Sequence, residues 1–250
     1  MRFLTWNIGK GGGKRISQII NEIDLQAPDF VTLTEVTNTN LSSLRRSLTT
    51  SGLVHIETTC RPGGPHSVFV ASKVPFEMMD DSNPSDPERW LPVRIESLNL
   101  NVLCVHIPGA TDHILGKDGK GDVHGKRRKQ NFWDEVIRYA QLHKDERTIL
   151  TGDFNTGLKE DAQGTPFELS DNIRILRLEK YTDTWRHLNP KTREYTFYSQ
   201  QKGADYNGFR LDYVYVSAAL RDSIVKTEHV HSVRVNKLSD HSMVVSDLSV

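Results

Sequence analysis

Eight polar side chains stand where apolar runs of this sequence stop. "LTWNI" delivers Asn7, "VTLTE" delivers Glu35, and "LCVHIP" delivers His106. "ILTGDFNTG" yields Asp153 and Asn155 just past Gly152, "FRLDYVYV" carries Asp212, and "KLSDHSMVV" sets Asp240 and His241 before a last apolar run. Asp and Asn are poor strand formers, and each alone reads as a turn residue or a helix cap. Together they are carboxylates, carboxamides and imidazoles, the groups that hold a metal, move a proton or bind a phosphate. Asp212 is the hardest to read as ordinary, because a charge facing a core inside "LDYVYV" is costly unless it is paired.

The elements that must aim these groups follow from periodicity. Arg2 to Ile8 reads as a buried strand, "KGGG" breaks the chain, and Ile16, Ile19, Ile20 and Ile23 recur at helical spacing up to Pro28. "DFVTLTE" is a second strand, and Leu41, Leu44 and Leu48 mark a second helix. Strands are expected at Leu53–Thr59, Ser67–Ser72, Val93–Leu98 and Asn101–His106, between Pro/Gly/Asp clusters. Phe132, Trp133, Val136, Ile137 and Ala140 mark a helix. Further strands are expected at Arg147–Thr151, Tyr195–Ser199, Arg210–Ser217, Ile224–His231 and Ser242–Leu248. Pro108 to Gly125 is a long polar stretch of the kind that is usually functional or disordered. No repeat or linker divides residues 1–250, so one domain of α+β class is expected, with two sheets face to face and helices outside.

Composition narrows the function classes. Hydrophobic residues are 36% of the 250 and charged residues 26%, enough for a soluble domain with a sizeable core. Lys+Arg and Asp+Glu are 32 each, which argues against a protein that coats DNA nonspecifically but leaves room for a local basic face. Cys60 and Cys104 make no disulfide framework or C-x-x-C pair and read as reduced, buried thiols of a cytoplasmic protein. "MRFLTWNIGK" runs straight into a strand with no signal-peptide stretch, and no window approaches a membrane span. No obligate protein partner is evident, and a monomer is expected.

"TWNI", "LTE", "TGDFN", "RLDYVYVS" and "SDHSMV" follow one another in the order and rough spacing of the endonuclease/exonuclease/phosphatase superfamily. The resemblance covers nearly the whole chain; no single motif is strong, but the ordered set is specific. "TDTWRHLNPKTREYTFYSQ" followed by "NGFRLDYVYVS" is most similar to the exonuclease III and apurinic endonuclease branch. It implies a four-layer α/β/β/α sandwich of two packed mixed β-sheets flanked by helices. It also implies a pocket for a base-less sugar lined by Phe197, Phe209 and Leu211, although the same three residues read equally well as strand core. The sequence departs from that branch twice: "HIPG" puts His106 where a phosphate-contacting tyrosine is expected, and Gly9 stands where relatives often carry Asn or Asp.

A phosphodiester repels nucleophiles, so its hydrolysis needs charge neutralisation, an activated water and a stabilised leaving oxygen. Mg²⁺, with Mn²⁺ as a substitute, binds through one or two carboxylates while keeping waters; Glu35 is the first expected ligand and Asp240 the second. Asp153 is expected to orient and deprotonate the water, and Asn155 and Asn7 to donate to phosphate oxygens. His241, held by Asp212, and His106 are further donors. Whether the aspartate or the histidine is the base is open at this point. In "KRRKQ", Lys126 and Arg127 are candidates for backbone phosphates, although most such runs are solvated faces. "GKGGGK" fails the P-loop spacing and reads as a flexible turn. His113 and His124 lack the companion spacing of a zinc site. The expected function is a Mg²⁺-dependent DNA endo- or exonuclease. RNA, an inositol phosphate, a lipid head group or another small phosphoester is the alternative substrate, and a noncatalytic binding domain is the remaining class.

Overall fold

The computed structural model describes residues 1–64, 66–80, 84–111, 114–115, 122–123, 125–201 and 204–250. His113, His124 and half of the long polar stretch lie outside the described residues. In chain order the strands are β1 (Arg2–Asn7), β2 (Phe30–Val36), β3 (His55–Thr58), β4 (Ser67–Ser72), β5 (Glu77–Met78), β6 (Trp90–Ile95), β7 (Leu100–His106) and β8 (Ile114–Leu115). They continue as β9 (Asp122–Val123), β10 (Thr148–Asp153), β11 (Thr182–Asp183), β12 (Phe197–Gln201), β13 (Ala204–Phe209), β14 (Asp212–Val216), β15 (Ile224–Val230) and β16 (Met243–Leu248). The α-helices are α1 (Ile16–Leu25), α2 (Asn38–Thr50), α3 (Gly125–Leu142), α4 (Asp171–Leu178), α5 (Thr184–Leu188) and α6 (Ser232–Val235).

Two six-stranded sheets form, with strand orders β15-β16-β1-β2-β4-β3 and β11-β14-β10-β7-β6-β5. Each is mixed: β1 runs parallel to β2 and β10 parallel to β7, while the other pairs are antiparallel. Phe3, Phe30, Val68 and Val244 of the first sheet pack on Val93, Val102, Ile149 and Val214 of the second. Outside the first sheet, Ile19, Ile23, Leu44 and Leu48 of α1 and α2 cover Leu4, Trp6 and Leu33. Outside the second, Phe132, Trp133, Ile173 and Leu176 of α3 and α4 cover Leu103, Val105 and Leu150. The four-layer order expected from the resemblance is therefore present. Every residue of β10 is buried, because its sheet is covered on both faces. That is why Thr148 to Gly152 carries no charge and shows no polar-out alternation.

This topology brings the polar strand ends to one edge. Asp153 pairs across to His106 on β7 and to Asp212 on β14. Gly152 makes the arrangement sterically feasible. Its φ is +138°, and a Cβ there would lie 1.9 Å from the Val105 carbonyl oxygen. Gly152→Ala is expected to cost about 3 kcal/mol or more, by strain and overpacking together. Urea unfolding measures this, and a wild-type midpoint would contradict the close approach.

Several expected elements differ in detail. Val93–Leu98 does not continue as a strand: Glu96–Leu98 is a 3-10 turn closed by Asn99 at φ 48°, which lets β6 return as β7. The strand expected at Tyr195–Ser199 begins instead at Phe197 and pairs with β13, a strand whose "ADYNGF" lacks the usual apolar alternation. α4 and α5 are not among the expected helices, although Ile173 and Leu176 of α4 stand at helical spacing. Cys104 is buried, but Cys60 is only half-buried. Trp90 and Trp185 are buried packing residues. Among the described residues no helix is long and apolar enough to cross a membrane.

Candidate active site

Asn7, His106, Asp153, Asp212 and His241 come from β1, β7, β10, β14 and the turn before β16, and all lie between 1% and 5% exposed. Asp153 is their centre. Its Oδ2 accepts from Asn7 Nδ2 at 2.9 Å, and its Oδ1 accepts from the Asn155 backbone N–H at 2.8 Å. His106 Nε2 lies 3.7 Å and His241 Nε2 3.9 Å from Asp153 Oδ2. Asp212 Oδ2 holds His241 Nδ1 at 2.9 Å, which answers how a charge is tolerated in "LDYVYV".

Electrostatics sets three different protonation states. Burial, the largest influence, raises the Asp153 carboxyl to about 7, with Asp212 adding to the rise and His241 opposing it. Burial disfavours a charged His241, but Asp212 and Asp153 overcome it and push the imidazole up to about 10. The magnitudes agree with that outcome. At an effective dielectric near 20, a carboxylate at 3–4 Å contributes about 4–6 kcal/mol, so two of them match the several kcal/mol of burying an ion. His106 has no such support; burial, then Arg89 and His241, hold it well below the ordinary histidine range. It is a neutral ring, and its Nδ1 is buried without a hydrogen-bond partner.

Glu35 reaches the site through a distortion of β2. The β2–β4 register shifts between Leu33 and Val36, and Glu35 sits at φ 59°. A bulge next to a functional cleft re-aims a side chain, and a non-glycine residue in this region is strained. The strain is held by the "GKGGGK" turn. Lys10 N–H donates to Glu35 Oε2 at 2.7 Å and Gly11 N–H to the Glu35 carbonyl at 2.7 Å. A Cβ on Gly11 would lie 2.2 Å from Thr37 Oγ1, so this segment is a fitted cradle. Asn7 Nδ2 also donates to Glu35 Oε1 at 3.2 Å, tying Glu35 to Asp153 through one carboxamide.

Glu35 and Asp240 line the same open cleft of about 710 Å³, with Gly9, Lys10, Arg15, Gln200, Asp205, Arg234, Lys237 and Ser239 also on its wall. Two oxygen donors in a solvent-filled space suit Mg²⁺, which keeps several waters. Asp153, Asp212 and His241 also bring three donor atoms within 4.8 Å of one another. That group is buried, includes a nitrogen and is already internally hydrogen-bonded, so it fits a hard hydrated cation less well.

Other expected residues divide. As placed, Asn7 spends its amide on two carboxylates, and Asn155, at φ 45°, donates to the Ile107 carbonyl at 2.9 Å. Phe197 is half-buried with its ring 4.9 Å from His241, whereas Phe209 and Leu211 are packed with Ala162 and Phe167. "KRRKQ" is not a uniform basic face: Lys126 pairs with Glu168 at 2.9 Å, Arg127 is exposed, and Arg128 is buried on Asp86 at 2.6 Å. Lys129, which the sequence reading did not single out, is fully buried and donates to the Asn155 carbonyl at 2.6 Å. Its signal was present, since Lys129 shares helical spacing with Phe132, Trp133 and Val136 and so lies on the buried face. His66 Nδ1, 3.5 Å from Glu35 Oε2, had no such signal.

Comparison with known proteins adds to this geometry. An AP endonuclease from Archaeoglobus fulgidus is 20% identical with a TM-score of 0.81, over 100% of both chains. A 3' phosphatase from Neisseria bound to a product DNA hairpin is 17% identical with a TM-score of 0.80, again over 100% of both. A 3'-5' exonuclease from Neisseria meningitidis is 18% identical with a TM-score of 0.78, over 99% of both. At these identities the likeness is one of fold. The family profile described as "Endonuclease/Exonuclease/phosphatase family" matches residues 4–241, nearly the whole chain, and the protein belongs to that family.

Proposed function

We propose that this protein is a divalent-metal-dependent phosphodiesterase that cleaves DNA, as an endo- or exonuclease similar to the exonuclease III and AP endonuclease branch. The observation that carries the reading is the convergence on Asp153 of Asn7, His106, Asp212 and His241, beside a cleft that holds Glu35 and Asp240. The DNA assignment is further supported by the DNA hairpin bound to one structural neighbour.

Asp153 is the general base. A carboxyl raised to about 7 is basic enough to accept a proton from water and still has a substantial ionised fraction at neutral pH. Asn7 and the Asn155 backbone N–H fix its two oxygens and leave acceptor capacity to aim at the nucleophile. His241, kept cationic by Asp212, donates from Nε2 to a nonbridging phosphate oxygen. Glu35 and Asp240 would hold Mg²⁺, which supplies charge neutralisation at the phosphate and the leaving oxygen. Phe197, against His241, offers an apolar face for the sugar next to the scissile phosphate. Lys126 and Arg127, on the first turn of α3, would meet a more distant backbone phosphate, Lys126 by leaving its exposed pair with Glu168.

A substrate panel tests the reading. Abasic-site duplex, 3'-phosphorylated DNA, plasmid, RNA and small phosphodiesters are each incubated with and without Mg²⁺. Turnover of a DNA substrate that disappears on chelation is expected. Turnover of small phosphoesters alone would move the assignment to that class, and metal-independent turnover would remove the roles of Glu35 and Asp240.

A further inference from the structure

A second group of metal-binding side chains lies outside the cleft. Glu194, His229 and His231 bring three donor atoms within 4.8 Å of one another. A single atom, Glu194 Oε2, meets His229 Nδ1 at 3.0 Å and His231 Nε2 at 3.3 Å. The ring centroids are 5.8 Å apart. From this geometry we propose that Glu194, His229 and His231 bind a transition-metal dication of the zinc type, at a site separate from Glu35 and Asp240.

The donor set carries the identity. Two imidazoles and one carboxylate are a recognised zinc combination, with a fourth tetrahedral position open to water. For metal–ligand bonds of about 2.0–2.1 Å the donor atoms of a tetrahedron stand about 3.3 Å apart. The two contacts to Glu194 Oε2 already have that spacing. Imidazole nitrogen selects against Mg²⁺, so the two sites differ in the ions they take.

The surroundings hold the donors in place and leave an entry. His229 has no exposed side-chain surface and stacks on Trp185, with ring centroids 4.7 Å apart at 22°. His231 Nδ1 contacts Ser242 Oγ at 2.9 Å, the outer hydrogen bond that fixes which ring nitrogen faces a metal. The Glu194 and His231 side chains are 37% and 36% exposed, so an ion can reach them. Arg210, whose positive field reaches His229, is paired with Asp161 at 2.5 Å and Asp183 at 2.6 Å. His229 lies on β15, and His231 stands just past its end as the N-cap of α6, at φ −77° and ψ −22°, with its Nε2 toward Glu194.

The site also connects to the candidate active site. Ser242 follows His241, and its N–H donates to the Thr196 carbonyl at 2.7 Å. Thr196 Oγ1 accepts from the Asp212 N–H at 3.3 Å, and Phe197 follows it. An ion on Glu194 would therefore tie residues 194–197 to β15 beside the Asp212–His241 pair.

The full chain, stripped by chelator, is given Zn²⁺ in the presence of excess Mg²⁺ and then desalted. One zinc per chain is expected to remain, and the melting temperature is expected to rise with Zn²⁺ concentration. Co²⁺ in its place should give the visible absorption of a tetrahedral site. His231→Ala and Glu194→Gln should each weaken zinc binding at least about 100-fold, since loss of outer-sphere partners alone costs 10–100-fold. Asp240→Asn should retain the zinc. Wild-type protein that keeps no zinc, or zinc lost in Asp240→Asn but kept in His231→Ala, would overturn the proposal.

Discussion

Asp153→Asn should lower turnover by about 10³–10⁴-fold, the upper range for loss of a positioned general base. The carboxamide is nearly isosteric, so substrate binding and the geometry of β10 should persist. It also replaces a buried carboxylate whose ionisation burial disfavours, so the melting temperature should stay level or rise. The pH dependence separates chemistry from packing. In the wild type only the ionised Asp153 is competent, so the rate should climb with pH and level off above about 7. The variant should lose that acid limb along with its rate. Steady-state kinetics at saturating Mg²⁺ from acid to alkaline pH measure both. Near-normal turnover, or an unchanged limb at a lower plateau, would assign the base elsewhere.

His241→Ala should lower turnover by about 10²–10³-fold, the usual effect of removing one donor from a stabilising site. The loss belongs to kcat more than to KM if the donor acts on charge that develops in the transition state. There is a structural effect as well. Asp212 is 1% exposed, and its Oδ1 already lacks a hydrogen-bond partner. Without His241 its Oδ2 also loses its partner, and a buried polar group left unpaired costs about 1–3 kcal/mol of stability. Asp212 acts through His241, so the double variant Asp212→Asn/His241→Ala should be no slower than His241→Ala alone. Additive losses would show that Asp212 has a separate contact with the reacting groups.

The roles given to Asn7 and Asn155 shift once their partners are known. Both carboxamides read from sequence as phosphate donors. In the fold Asn7 links Asp153 to Glu35, and Asn155 braces the turn after β10 through Ile107 and Lys129. That geometry suits them to position the proposed base and the expected metal ligand. A carboxamide in a sequence offers two donors, and only its neighbours decide where they go.

The sequence by itself determined most of the strands and helices around the site, because β1, β2, β7 and β10, buried on both faces, show few charges and high β propensity up to the polar groups at their ends. It also determined which polar groups those strands deliver, since a carboxylate at a strand end conflicts with local propensity. Less was legible where local chemistry is weak: β13 lacks alternation, and the bulge that turns Glu35 is stabilised by a glycine turn 24 residues upstream. The tertiary structure alone decided that Asp153 titrates near 7 while His241 stays charged and His106 neutral. It also decided that Glu194 meets two histidines more than 30 residues away. Propensity acts between chain neighbours and can be read along a line. Desolvation and Coulomb forces depend on distances in space, and the folded chain is what sets them.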